Sequence, residues 1–353
     1  MQEVNQLNPP PLPDAPPAAR APRRAGCWLA VILLAVLLLL SAFANLALLL
    51  GLFFTGGKIA DGSQAADEFP EFQEIWSYGD GDVKAVRLAL NGVIAREADG
   101  GFWNEGLDPT AELRLQIRAA RQDGQVRAII LEVDSPGGVM TPTDEIYREL
   151  QEFRASADDR RVVVLVRDLA ASGAYYIAMA SDWIVAEPTA IVGSIGVIMQ
   201  TLNWQELSDK IGIRDVTITA GDNKDLLNPF KPVRTEHLDV FQEILDEMHA
   251  RFIAIVQQRL KLAPEALAQL TDGRVFSASL AAASGMVDQV GYWEDALAKV
   301  HELLGAAAVR VVRYEQPRGL ARFLARLSLP LPAIKLPAAL RDRHPRVLYL
   351  WTP

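Results

Sequence analysis

Three glycine-flanked turns carry the residue types that could do chemistry. The first is Asp134-Ser135-Pro136-Gly137-Gly138, directly after an apolar run. Paired glycines leave backbone N–H groups unobstructed by a Cβ, and such groups stabilise a developing oxyanion. Ser-Pro-Gly-Gly also makes an ordinary turn. The second is Ala170-Ala171-Ser172-Gly173-Ala174-Tyr175-Tyr176, which follows another apolar run and opens a helix of small residues. A serine there has its hydroxyl in a cleft, beside exposed N–H groups and the positive end of the helix. The competing reading is a helix N-cap, and on this motif alone the cap leads. The third is Gly193-Ser194-Ile195-Gly196. A fourth segment, Ala220-Gly221-Asp222-Asn223-Lys224-Asp225, brings a lysine in a polar loop, where a lone lysine is ordinarily solvated.

The remaining composition narrows the chemistry. Of 353 residues, 35 are Lys or Arg and 44 are Asp or Glu, a formal charge of −9. A nucleic-acid binder shows the opposite balance. Cys27 is the single cysteine, so an intramolecular disulfide and a cysteine zinc cluster are both excluded. His237, His249, His301 and His344 are scattered, with no H-E-x-x-H spacing. No G-x-x-x-x-G-K-[ST] loop occurs. What is left is an enzyme that needs no cofactor and no metal, or a binding protein, in either case tied to a membrane.

The turns need a scaffold, and the chain supplies strand and helix patterns in alternation. Val83–Ile94 alternates as a strand, and Thr110–Asp123 has helical spacing. Arg127–Asp134 is a short apolar run, Pro142–Phe153 reads as a helix with Thr141 as N-cap, and Val162–Arg167 is a second apolar run. Ala171–Ala180 reads as a helix and Trp183–Ala186 as a strand. This order predicts an α/β fold with a largely parallel sheet. His237–Leu260 is a long helical pattern whose stripe of Phe241, Ile244, Met248, Phe252 and Ile255 suits a core or an oligomer interface better than a ligand site.

The flanks differ from this body. From Trp28 to Phe54 no residue is charged, and about 20 apolar residues span a bilayer. The run continues well past Ala42-Phe43-Ala44, so retention as an anchor is favoured over cleavage as a signal peptide. Arg20, Arg23 and Arg24 precede the run and Asp61, Asp67 and Glu68 follow it. The positive-inside rule then puts the N-terminus in the cytoplasm and the bulk of the chain outside. The expected layout is a disordered cytoplasmic tail over 1–26 and a transmembrane signal anchor over 27–54. A juxtamembrane connector follows over 55–82, then a folded body over 83–314 and a tail over 315–353. From Gln316 onward that tail holds seven Lys and Arg against the single acid Asp342, with four prolines between Pro330 and Pro345. It reads as a solvated, proline-broken tail, or as a membrane-surface or inter-subunit arm.

Together the four segments resemble the signal peptide peptidase A family, membrane-anchored Ser–Lys peptidases of the Clp-protease/crotonase fold. Asp272-Gly273-Arg274-Val275 and Ala283-Ser284-Gly285-Met286-Val287-Asp288 extend the resemblance, which covers about Val83 to Leu304. It implies a repeated β-β-α superhelix preceded by one transmembrane helix. It makes Ser172 the nucleophile and Lys224 the general base, with Ser194 orienting the lysine amine. By the same resemblance, backbone N–H groups of Gly137, Gly138 and Gly173 would form the oxyanion hole. It implies a ring-like homo-oligomer at the cytoplasmic membrane, with its catalytic domain on the outer side. The substrates it implies are hydrophobic peptides, including remnant signal peptides.

Two departures stand out: Asp134 occupies a position where the family often has Asn, and Ala174 that of a common second glycine. Asp134 is expected to point away or to cap the turn. The chemistry is coherent on its own terms. A serine hydroxyl needs a base, and a lysine base must be neutral, although an ordinary lysine stays protonated to about pH 10.4. Burial among Ile195, Val197, Leu226 and Leu227 would supply the desolvation that neutralises it. Tyr175 and Tyr176 are expected to pack the helix after Ser172. Two other classes stay open at this point: a crotonase-type enzyme acting on acyl-coenzyme A, and a non-enzymatic membrane-anchored scaffold.

Overall fold

A computed structural model of the chain describes residues 31–46, 71–96, 108–316 and 347–350. The chain divides into two compact units, Met1–Gln64 and Ala65–Pro353. In the first, residues 31–46 are helical with exposed apolar side chains. Among the described residues, no helix is long and apolar enough to cross a membrane. The expected span, residues 28–54, lies partly outside them.

The second unit is a mixed α/β structure. Its strands are β1 (Gln73–Tyr78), β2 (Val83–Asn91), β3 (Val126–Ser135), β4 (Gly137–Val139), β5 (Arg161–Ala171) and β6 (Trp183–Ala186). They continue with β7 (Ile191–Gly193), β8 (Ile198–Met199), β9 (Val275–Ser277), β10 (Gln289–Val290), β11 (Val309–Glu315) and β12 (Val347–Leu350). Its helices, numbered within this unit, are α1 (Pro109–Gln122), α2 (Met140–Ala155), α3 (Gly173–Ala178) and α4 (Gln205–Ile211). After these come α5 (Thr235–Leu260), α6 (Pro264–Leu270), α7 (Ala278–Ala283) and α8 (Trp293–Leu304). The main sheet has the order β1-β11-β2-β3-β5-β6-β10, with β7 beside β5 and β9 beside β7. Only β1 and β9 run antiparallel to their neighbours. A separate antiparallel sheet has the order β4-β12-β8.

The period-two rule sorts the strands cleanly. Ile129, Leu131, Val162, Val164 and Val166 face a core closed by α1, α2, α3 and the second half of α5. Ala128, Ile130, Val163, Leu165 and Val185 face the opposite core under α8. Strands covered on both faces read as continuous apolar runs, which is why β3 and β5 are visible in the sequence. At α1, Asp108 accepts from the Thr110 N–H and Pro109 stands in the first turn, a favourable start on both counts. At α2 the expected cap fails: the helix begins at Met140, Val139 takes the N-cap position, and no side chain caps it. Thr141 therefore lies inside the first turn. In α5, Phe252 and Ile255 are core residues, whereas Leu238, Val240 and Ile244 are exposed.

Two segments outside the expected body belong to the sheets. Gln73–Tyr78, within the stretch read as a connector, pairs with β11. Val347–Leu350, within the stretch read as a tail, forms β12.

Candidate active site

The parallel strands β2, β3 and β5 end on one edge, where Asn91 pairs with Asp134 and Ser135 with Ala170. That edge is where open α/β sheets place their sites. Ser172 leaves β5 with φ 54° and ψ −116°, a conformation that side-chain-bearing residues rarely adopt. The chain turns at this residue directly into α3. Such a strained strand-to-helix turn pushes a serine hydroxyl out of the backbone ladder. Ser172 stands at the N-cap position, yet its side chain caps nothing. The cap reading, favoured by the motif alone, therefore fails.

Ser194 is brought alongside. β7 runs parallel to β5 with Ala171 opposite Gly193, and the Ser172 N–H donates to the Gly193 carbonyl at 2.7 Å. Adjacent strands lie about 4.8 Å apart, so the two serines sit at neighbouring strand ends. Ser194 also has a positive φ, 55°. Its N–H donates to the Arg274 carbonyl at 2.8 Å. Gly193 has φ +109°, and a Cβ there would come 3.0 Å from the Arg274 carbonyl oxygen and from Phe276 Cδ2. The Asp272–Val275 motif is thus the wall behind the Ser194 turn.

The other late motif anchors α3. Tyr175 is fully buried and donates to the Met286 carbonyl at 2.7 Å. Asp288 accepts from the Ile184 N–H and pairs with Arg259. Tyr176 donates to Asp144 and meets Tyr147 and Phe252 edge-on. Burial pushes both phenols well above their ordinary range, with Asp144 adding to the effect at Tyr176. Both tyrosines are packing residues that stay protonated donors.

The Gly137-Gly138 turn is held by the loop after β2. The Ile94 N–H donates to the Gly137 carbonyl at 2.9 Å, and the Val139 N–H to the Ile94 carbonyl at 2.7 Å. Gly137 has φ +91°. The Gly137 N–H donates to Ser135 Oγ at 3.1 Å. Ser135, not Asp134, therefore braces this turn. Burial, and then the neighbouring charge of Asp168, hold the Asp134 carboxyl above the usual carboxylate range.

Lys224 is placed differently. It lies exposed on a turn, with its own N–H donating to the Gly221 carbonyl at 3.1 Å. Ile195 is buried, and Val197, Leu226 and Leu227 are half-buried. They do not enclose the ammonium within the single chain. Neighbouring Asp225 pairs with Lys231 instead. The structure thus assembles Ser172, Gly173, Ser194, Gly137 and Gly138 through adjacent strands and turns. Among the described residues, no hydrogen bond joins Lys224 to either serine.

The β4-β12-β8 sheet was not foreseen. Its signal was the run Val347-Leu348-Tyr349-Leu350-Trp351, bounded by Pro345 and Pro353, which has strand composition.

The profile of peptidase family S49 matches residues 154–307, a stretch that includes Ser172, Ser194 and Lys224. A protein named as a signal peptide peptidase SppA in Enterococcus faecium is 32% identical over 243 residues, covering 69% of this chain and 70% of that protein. A protein named as a protease in Methanocaldococcus jannaschii is 34% identical over 226 residues, covering 64% of this chain and 71% of that protein. Protease 4 of Salmonella typhi is 34% identical over 223 residues, 63% of this chain but 35% of its own length. With the site in place, these similarities define the protein as a serine peptidase, which decides among the three classes left open by the sequence. The chain belongs to peptidase family S49, with the signal peptide peptidase SppA and protease 4 proteins.

Proposed function

We propose that this chain is a membrane-anchored endopeptidase that hydrolyses hydrophobic peptides, remnant signal peptides among them, through a Ser172 acyl-enzyme. The observation that carries the reading is the strained, uncapped Ser172 at the end of β5, tied through its N–H to the Ser194 turn. In the proposed reaction Ser172 Oγ attacks the scissile carbonyl and its proton passes to the neutral Lys224 amine. The carbonyl oxygen becomes an oxyanion, held by backbone N–H groups of the Gly137-Gly138 turn and Gly173. Collapse expels the leaving amine, which takes the proton from Lys224. Water then attacks the acyl-enzyme, with Lys224 again accepting the proton, and Ser172 is restored. Ser194 orients the lysine. The sheet-and-helix body is read as the Clp-protease/crotonase type, with residues 28–54 as the anchor, the N-terminus inside and the body outside.

A lysine base must leave water, and in the single chain Lys224 is exposed. The proposed ring-like homo-oligomer answers this. Val216 and Ile218 are 87% and 95% exposed just before the lysine turn, and Phe230 and Val233 are exposed after it. An assembly that covers this apolar stretch desolvates the amine, which is the condition a neutral base requires.

The test is hydrolysis of an apolar fluorogenic peptide by wild type, Ser172→Ala and Lys224→Ala, alongside the oligomeric state. Loss of at least about a thousandfold in kcat for both variants, with assembly intact, is expected of a dyad that acts as a unit. Full activity in Ser172→Ala would remove the nucleophile from the proposal.

A further inference from the structure

The nucleophile turn and the glycine turn are joined a second time, outside the sheet. Tyr176 lies one helical turn past Ser172, and its N–H donates to the Ser172 carbonyl at 2.9 Å. Asp144 belongs to α2, the helix that begins at Met140, directly after the glycine turn. The Tyr176 hydroxyl donates to Asp144 Oδ1. Arg251, from α5, completes a three-way contact. Its Nη2 donates to Asp144 Oδ1 at 2.6 Å and its Nε to the Tyr176 hydroxyl oxygen at 3.1 Å. From this contact the chain runs four residues back to Ser172 on one side and six back to Gly138 on the other.

Chemistry fixes the direction of these bonds. A guanidinium only donates and an ionised carboxylate only accepts. The phenol therefore accepts from Arg251 and donates to Asp144, which holds it in one orientation. Tyr176 is fully buried. Its ring meets Tyr147 of α2 at 5.2 Å and Phe252 of α5 at 5.1 Å between centroids, both edge-on. The Asp144 and Arg251 side chains are 41% and 54% exposed. As a surface ion pair alone they would contribute little. They matter because they close over a buried hydroxyl, which is costly to leave without partners.

We propose that Tyr176, Asp144 and Arg251 are positioning residues for the hydrolysis, a strut that sets the spacing between the Ser172 hydroxyl and the Gly138 N–H. The proposal rests on the peptidase reading for the reaction it serves. Strands β3 and β5 fix where the two turns start, with Ser135 opposite Ala170. Beyond that pair both chains leave the β3–β5 ladder, and the Tyr176–Asp144 bond joins the helices they enter. A misplacement of about 1 Å in such a spacing costs on the order of a hundredfold in rate, so partial loosening is measurable.

The experiment uses the full chain and the variants Tyr176→Phe, Asp144→Ala and Arg251→Met, with Tyr175→Phe as control. Tyr176→Phe keeps the ring between Tyr147 and Phe252 and removes only the hydroxyl. Tyr175→Phe removes a hydrogen bond from the same helix, but one that goes to Met286 and not to α2. With an apolar fluorogenic peptide, the first three are expected to lose kcat about tenfold at unchanged KM. The double variant of Tyr176→Phe with Asp144→Ala should lose no more than the worse single one, because both break one contact. The midpoint of the pH profile of kcat should stay where it is in wild type, because the base is untouched. Tyr175→Phe should lower the thermal midpoint and keep kcat within about twofold. A Tyr176→Phe protein that melts earlier but keeps its kcat would overturn the proposal, as would an equal loss of kcat in Tyr175→Phe. A shifted pH midpoint would overturn it too, by moving the effect to Lys224.

Hydrogen exchange separates the strut from the peptidase reading. In Tyr176→Phe the amides of residues 137–144 and 173–178 are expected to lose protection together. If only one of the two segments responds, or neither, the strut is refuted whatever the protein cleaves. If wild type cleaves no peptide while the two segments respond together, the peptidase reading fails and the coupling of the two turns stands.

Discussion

Replacing Gly138 by alanine tests how the glycine turn is built. A Cβ on Gly138 would lie 2.0 Å from the Ile94 carbonyl oxygen and 2.6 Å from the Ile94 carbonyl carbon and nitrogen. All three are backbone atoms, so no side chain can swing aside. Ile94 is buried and must retreat by roughly 1.4 Å to reach van der Waals distance, which overpacking data mark as costly. That movement pulls on two hydrogen bonds, from the Ile94 N–H to the Gly137 carbonyl and from the Val139 N–H to the Ile94 carbonyl. At about 1 kcal/mol each, and more where a buried group is left unpaired, the expected cost is about 2–4 kcal/mol. A domain has only about 5–15 kcal/mol in hand. Gly92→Ala is the control. Gly92 has φ +72° but nothing within 4 Å of a built Cβ, so it should cost only the left-handed backbone term of about 1–2 kcal/mol. Urea unfolding followed by tryptophan fluorescence measures both. Gly138→Ala is expected to be the less stable variant and to lose kcat/KM about tenfold, because Ile94 braces the turn. If Gly138→Ala proves as stable as Gly92→Ala, the close-approach argument is wrong.

Three further perturbations follow from the same contacts. Tyr175→Phe removes the donor to the Met286 carbonyl and should cost about 1–2 kcal/mol; an unchanged thermal midpoint would show that the bond carries nothing. Lys84 is buried and bonded to Glu74 on β1 and to Asp123 after α1, so Lys84→Met should cost about 2–3 kcal/mol by leaving Asp123 unpaired. Burial alone would lower Lys84, but its hydrogen bonds to Asp123 and Glu74 outweigh that and raise it. Burial alone would raise Asp123, but the Lys84 bond, the Gln125 N–H and nearby cations lower it. Stability from this pair should therefore fade as pH rises above 10.5 and as it falls below 3.8, both visible in a pH series of melting midpoints. Asp134 has the opposite sign to Asp123: its raised carboxyl costs stability as pH climbs through the carboxylate range. Asp134→Asn should melt higher than wild type at pH 7, with the gap closing toward pH 3; a pH-independent gap would contradict this.

What the sequence revealed depended on the length of each signal. β3 and β5 are buried on both faces and announce themselves as apolar runs, and α1 carries both a cap and a periodic face. β4, β7 and β8 have two or three residues each, too few to show a period, and they exist because their neighbours hold them. β1 is an edge strand with exposed Trp76 and Tyr78, so it lacks the buried face that marks a strand in sequence. β12 lay within a stretch whose prolines and arginines outweighed its four apolar residues. Thr141 looked like a cap because α2 was expected to start at Pro142; the helix starts two residues earlier. Ser172 and Ser194 were identifiable from their glycine neighbours, but their proximity depends on the β5–β7 register, which no local pattern encodes. Lys224 is identified only through the resemblance, and the apolar neighbours expected to bury it, Leu226 and Leu227, are half-buried beside a lysine that is exposed in the single chain.

The glycines of the three turns divide between geometry and chemistry, and the division sharpens the proposed oxyanion hole. Gly193 is needed because its backbone has φ +109° against the Arg274 carbonyl, and Gly138 because Ile94 crosses it. Gly137 is needed for its φ of +91°, but its N–H is already donated to Ser135 Oγ. An amide engaged in that bond must give it up to serve an oxyanion, at a net loss that offsets much of what it would contribute. Gly173 opens α3, where a backbone N–H has no acceptor one turn earlier. On the proposed mechanism the oxyanion therefore falls to Gly138 and Gly173, with Gly137 bending the chain just before Gly138. Ser135→Ala separates the two roles. If Gly137 only bends the turn, freeing its N–H should change stability by about 1 kcal/mol and leave kcat within about twofold. If Gly137 is the donor, removing its competing acceptor should raise kcat instead.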